Sequence, residues 1–244
     1  MGFMASGLNS YKLSFLVVAI FVSQASFAET NVEVLNTNIK VDFKSMHIWR
    51  GIASSNVPCI EPTFEVTKNN TTTGIWVAQS IDGNYTELDL YFTYKFRDFS
   101  FTIYDYYCPP SIQASNEIAN YNQPNTNHTI ELNLAFAGNE KNPFSLLIAT
   151  MVYGDDLDSE TNKQRYSSYI QLGYSTEIEN STIDLFVGIS PFKGIYGEVA
   201  GIANAGIKAT RNLAISKTKS IPVQASLSTN PMTNSLFLNF GFTL

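Results

Sequence analysis

Residues 85–107 read YTELDLYFTYKFRDFSFTIYDYY, and this stretch decides the fold. Leu88, Leu90, Phe92, Tyr94 and Phe96 alternate with Glu87, Asp89, Tyr91, Thr93 and Lys95, a period of two held over a whole strand. Arg97-Asp98 turns the chain, and Phe99, Phe101 and Ile103 resume an apolar face against Ser100, Thr102 and Tyr104. This is a hairpin with a very short connection and arms of about ten residues, the length of a tilted strand crossing a bilayer. Strands of soluble sheets usually stop at about five or six.

Before that stretch, the N-terminus reads as an export signal. Lys12 precedes the apolar run Leu13 to Val22, and Ser26-Phe27-Ala28 supplies small residues for cleavage, so residues 1–28 are expected to be removed and 29–244 to form one barrel domain. The apolar run is too short for a spanning helix, and no later stretch approaches the length one needs. Without Lys12 the chain keeps 14 Lys+Arg against 21 Asp+Glu, and an acidic chain without a basic patch argues against nucleic acid as a partner. With 13 Tyr and 17 Phe, the apolar residues are dispersed along the chain rather than gathered, which fits strands better than helices.

Along the rest of the chain the alternation recurs. Ile39, Val41 and Phe43 start it, and a slip that brings Met46 and Ile48 into phase predicts a bulge near Lys44-Ser45. Residues 29–38 read as a lead-in and 51–58 as loop. Further strands are expected around 60–66, 74–81, 130–136, 144–154, 166–178, 183–189, 203–215 and 221–229, with a last one carrying Leu236, Leu238, Phe240, Phe242 and Leu244 on one face. The tally is about twelve. The odd-numbered connections (51–58, 82–84, 108–127, 155–164, 191–201 and 230–234) are mostly long and the even ones short, the asymmetry of an outer-membrane barrel. Spanning hydrocarbon requires every backbone group to be paired, so the sheet must close on itself. The fold class expected is therefore all-β, a transmembrane antiparallel β-barrel of about 12 strands in the bacterial outer membrane.

The motifs Trp49-Arg50-Gly51, Glu87-Leu88-Asp89-Leu90-Tyr91, Tyr104-Asp105-Tyr106-Tyr107 with Pro109, and Ile221-Pro222-Val223 with Asn230-Pro231 occur in this order over nearly all of 29–244. In these the chain resembles the TorF-type (Gcw_chp) porin family of Gram-negative bacteria, which implies an outer-membrane barrel with a transport role. The chain departs from the pattern at Gly74-Ile75-Trp76 and ends in Leu244 rather than an aromatic, although Phe240 and Phe242 keep the terminal pattern read by the barrel assembly machinery.

Strand phase puts Glu61, Glu65, Glu87, Asp89, Glu131 and Asp184 on the inward face, with Lys44, Lys95 and Lys208. Such a lining would favour cations among ions or small solutes passing through. Equally, the charges could pair across strands and fill a closed interior, leaving a structural or adhesive barrel that acts through its loops. A lipid hydrolase would need a serine beside His47 or His128, and no motif supplies one, so the chain is read as a non-enzyme with no cofactor. Cys59 and Cys108 would both reach an oxidising compartment, which makes a disulfide between them an expectation; no metal-ligand spacing accompanies them. The carboxylates Asp155, Asp156, Asp158 and Glu160 read as a solvated loop rather than a calcium loop. Tyr91, Tyr94, Tyr104, Tyr106, Tyr107, Tyr166 and Tyr169 are expected at interfacial girdles.

Overall fold

A computed structural model describes residues 35–110, 117–139 and 141–244; the expected export signal, 1–28, lies outside them. Twelve strands close into one antiparallel barrel. In chain order the elements are β1 (Asn36–Lys44), β2 (His47–Trp49), β3 (Ile52–Ser55), β4 (Cys59–Lys68), β5 (Thr71–Ser80), β6 (Thr86–Phe96) and β7 (Phe99–Tyr107). They continue as β8 (His128–Phe136), β9 (Phe144–Gly154), β10 (Ser168–Ile178), β11 (Ser181–Ser190), β12 (Gly201–Ala214), β13 (Ser220–Asn230) and β14 (Ser235–Thr243). Every wall strand pairs with its chain neighbour, and β1 closes the ring by pairing with both β4 and β14. β2 and β3 stand apart as a two-stranded sheet.

The alternation read from the sequence is the alternation of the two faces. Along β4 the odd positions Cys59, Glu61 and Thr63 are buried while Ile60, Pro62 and Phe64 are exposed. The same holds for Leu90, Phe92, Phe101, Leu134, Leu185, Leu227, Leu238 and Phe240, all large, apolar and exposed on the outer face. So broad an apolar surface, with the polar groups turned inward and the backbone closed on itself, is the arrangement that hydrocarbon demands. At one end, three of the five connections are two-residue turns, opened by Asn69, Arg97 and Glu179 with positive φ, the geometry a tight hairpin requires; β8–β9 and β12–β13 are joined by longer segments. At the other end lie the long connections 108–127, 155–167 and 191–200.

Three expectations change. β1 begins at Asn36, so 36–38 belong to the wall rather than to a lead-in. The chain does not bulge at Lys44-Ser45 and continue; β1 ends there, and Met46 to Ser55 leave the wall. Residues 51–58 are accordingly not all loop, because Ile52–Ser55 pairs back on His47–Trp49. The one-residue slip in the apolar pattern marked a strand end, since a chain that turns inward has no wall phase to preserve.

Candidate functional site

The β2–β3 hairpin enters the lumen from the long-loop end. Its two-residue turn is Arg50-Gly51, with φ of +47 and +81, as a type I′ turn needs. Gly51 is pressed against the wall at β12 so closely that a Cβ there would stand 2.0 Å from the carbonyl oxygen of Ala203. Asn230 Nδ2 donates to the Gly51 carbonyl at 3.1 Å. The tip thus joins β12 and β13, the third and second strands from β1 round the ring.

Arg50 carries the hairpin's main contact with the wall. Its guanidinium donates to both oxygens of Glu131, at 2.6 and 2.9 Å, a bidentate pair, and to the Tyr196 hydroxyl at 2.7 Å. It also lies over the rings of Trp49 and Tyr169, 4.6 and 5.0 Å from their centroids. Trp49 stacks on Tyr196 and meets Tyr106 edge-on, while Tyr106 donates to Glu131 at 2.8 Å. Ala149, Tyr169, Tyr196 and Ala203 form a small buried core at this level, against which Trp49, Ile52, Leu147 and Met232 pack.

Two wall irregularities sit at this contact. The β8–β9 register shifts between Ile130 and Glu131, and the β11–β12 register shifts at Gly188/Ile189, leaving Ala203 as the extra residue. Bulges re-aim side chains and bend the strand that carries them. Here one lies beside the carboxylate that holds Arg50, and the other is where Gly51 rests.

All nine charged residues expected on the inward face lie on the inward register, but they are not alike. Glu61 is fully buried and takes His47 Nδ1 at 2.8 Å and Lys44 Nζ at 2.6 Å. Glu131 is fully buried on Arg50. Asp184 pairs with Lys208 at 3.1 Å and accepts from Ser175. Glu65 accepts from Asn38 and from Tyr91, and Glu87 from Tyr85 and from the Cys108 thiol. Asp89 is buried, with Oδ1 unpartnered among the described residues. Lys95 is exposed near the short-turn end. Among the described residues, one cavity of about 440 Å3 lies under the hairpin and another of about 350 Å3 beside Asp184 and Lys208.

The expected disulfide is not formed. Both cysteines are free, Cys59 turned to the Val57 carbonyl and Cys108 to Glu87, so they face different neighbours. The tyrosines do not form one girdle either. Tyr94 faces outward, but Tyr91, Tyr104, Tyr106 and Tyr169 point into the lumen. His128 has both ring nitrogens engaged, by Asp105 and by the Ile118 carbonyl, each at 2.7 Å. In the 155–167 connection, Asp156 is buried on the backbone and hydroxyl of Ser167, and Asp158 accepts from the Glu160 and Thr161 amides, so these carboxylates fold the loop on itself.

Trp49, Arg50, His47, Tyr196 and Asn230 were not singled out as lumen residues by strand phase, because most lie in connections where phase is undefined. The one signal was Trp49-Arg50-Gly51 itself, an aromatic, a cation and a turn glycine in a segment otherwise read as passing from strand to loop.

No family model matches the chain, and no curated protein matches it. Among solved structures, the chain is similar to the COG4313 outer membrane channel from Pseudomonas putida F1, at 12% identity and TM-score 0.43, over 91% of this chain and 98% of that one. It is also similar to a mutant porin of Rhodopseudomonas blastica, at 10% identity and TM-score 0.37, over 86% of this chain and 99% of that one. These are distant likenesses, and the barrel stands on its own strand pairing.

Proposed function

We propose that the chain is an outer-membrane channel of the TorF type for ions or small solutes, narrowed by its own β2–β3 hairpin and preferring cations. The observation that supports this most is the division of the inward charges. Lys44, Arg50 and Lys208 are each matched by a carboxylate, while Glu65, Glu87 and Asp89 carry no ion pair to a cation among the described residues. Unmatched carboxylates in a confined polar passage lower the energy of a passing cation and raise that of an anion. Barrel lipid and the assembly machinery, through the C-terminal strand, are the remaining partners of this reading.

A second reading has its own observation. The hairpin and the aromatic core around Arg50 cross the lumen, as a closed barrel acting through its outer loops would need. Current through single proteins in a planar bilayer, with the reversal potential taken under a salt gradient, separates the two. Small, stable steps with a cation-side reversal potential are expected. A correctly folded barrel that passes no current sinks the channel and favours the closed barrel.

A further inference from the structure

The cavity under the hairpin has a composition that a mere ion passage does not require. Its walls are aromatic: Trp49, Trp76, Tyr91, Tyr104 and Tyr106. Tyr91 lies flat over Gly74 on the neighbouring strand, where a Cβ would come within 2.2 Å of the ring, and from there its hydroxyl reaches Glu65. Tyr104 sits 5.4 Å from the Tyr91 ring and stacks on Tyr106 at 5.2 Å. Aromatic faces of this kind attract cations, more strongly where water is scarce.

Two polar groups in this cavity are left without partners. Asp89 and Thr63 are 7% and 5% exposed, and Asp89 Oδ1 and Thr63 Oγ1 make no hydrogen bond among the described residues. A buried acceptor without a donor costs about 1–3 kcal/mol, more for a charged one. The cations on the same walls cannot supply the need: Lys44 is on Glu61, Arg50 on Glu131, and Lys40 lies 3.5 Å from Asp42. Glu65, Glu87 and Asp89 therefore stand beside the aromatic walls with no ion pair to a cation among the described residues.

The geometry points to a site for a protonated organic amine, a primary alkylammonium whose N–H groups donate to Asp89 while its carbon body lies against the aromatic rings. A bare metal ion fits less well, because no three acidic, histidine or cysteine side chains among the described residues come together as a ligand set. A tetraalkylammonium would gain the ring contact but has no N–H for the orphaned acceptor. At about 440 Å3 the cavity has the size of a small-molecule site rather than an ion site. This names the substrate class of the channel and rests on that reading only in requiring that solution reaches the chamber.

The chain offers a direct reporter, since its two tryptophans, Trp49 and Trp76, both line this cavity. Detergent-folded protein is titrated with n-butylammonium chloride at constant ionic strength, with potassium and tetramethylammonium as comparators, and tryptophan emission is followed. A saturable change with butylammonium is expected, about tenfold weaker or more with tetramethylammonium and absent with potassium. Asp89→Asn should weaken butylammonium about tenfold or more, with the variant first shown to be folded by its heat-modifiable mobility. No saturable change in the wild type, an equal change with potassium, or unaltered affinity in Asp89→Asn overturns the site. In parallel bilayer recordings, current without amine binding overturns this inference and leaves the channel, whereas binding without current supports the site and overturns the channel.

Discussion

Gly51 is held by two separate constraints, and a second glycine, Gly83, lets them be told apart. Its φ of +81 is a conformation that disfavours a side chain, and its missing Cβ makes room for the Ala203 carbonyl. Gly83, at φ +74, shares the first constraint only, because nothing lies within 4 Å of where its Cβ would be. Gly83→Ala should therefore cost about 1 kcal/mol from backbone strain alone, and Gly51→Ala more, as the tip must also leave β12. Thermal unfolding of the two variants checks this; equal losses would mean that the tip does not press on the wall. Another residue-level expectation concerns Tyr121, whose hydrogen bond to Asp105, and then partial burial, push its phenol up to about 12. Because the folded value is raised, the contact holds while ordinary phenols ionise near pH 10 and is lost as pH rises towards 12. The difference in tyrosinate absorbance between wild type and Tyr121→Phe should accordingly appear only at the alkaline end of a titration. An ionisation near pH 10 in that difference would show the tyrosine undocked.

The β2–β3 hairpin acts as a unit because Arg50 and Gly51 fix its tip to two separate parts of the wall, Glu131 on β8 and Ala203 on β12. Removing Arg50 leaves Glu131 buried without its cation, a loss of about 3–5 kcal/mol for a buried pair. The hairpin then has less reason to stay across the lumen than to swing out with the other long connections. Arg50→Ala is expected to raise single-channel conductance several-fold over the wild type; a conductance unchanged in a folded variant would place the narrowest point elsewhere. This element also marks where reading the sequence stopped. Wall strands were legible because their pattern is set by two solvents, lipid and lumen, that every second residue must satisfy. The hairpin answers to neither: its register depends on Glu131, 81 residues further along the chain, and on Asn230, 179 away. Local composition holds no trace of such partners, so 51–58 read as loop. The inward charges were legible for the same reason as the walls, yet their pairing was not, because strand phase names the face of Asp89 or Glu61 but not what stands opposite.

At the scale of the barrel, the weakest join is where the ring closes. β1 matches β14 at Asp42–Thr243, Phe43–Phe242 and Lys44–Gly241, whereas β1 and β4 keep register from Asn36 to Lys44 and β6 and β7 from Leu88 to Phe96. The shortness has two causes in the chain itself. β14 ends at Thr243, so the first half of β1 passes beyond it, and β1 ends at Lys44 because the following residues turn inward to make the hairpin. Ser45 reaches Phe240 and Asn239 through its backbone and hydroxyl, Val41 and Leu244 exchange backbone hydrogen bonds at 3.0 and 2.9 Å, and on the lipid face the rings of Phe43 and Phe242 stack 4.8 Å apart. An aromatic pair contributes about 0.5–1.5 kcal/mol beyond its buried area, and here it does so at the place where opening the ring costs fewest hydrogen bonds. Phe240, two residues earlier on the same strand, faces lipid as Phe242 does but is not part of that ring pair. Phe242→Ala should therefore lower the temperature at which the barrel loses its heat-modifiable mobility by more than Phe240→Ala does. Equal shifts would mean that unfolding starts elsewhere than the seam, and that the inward turn after Lys44 narrows the lumen without weakening the wall.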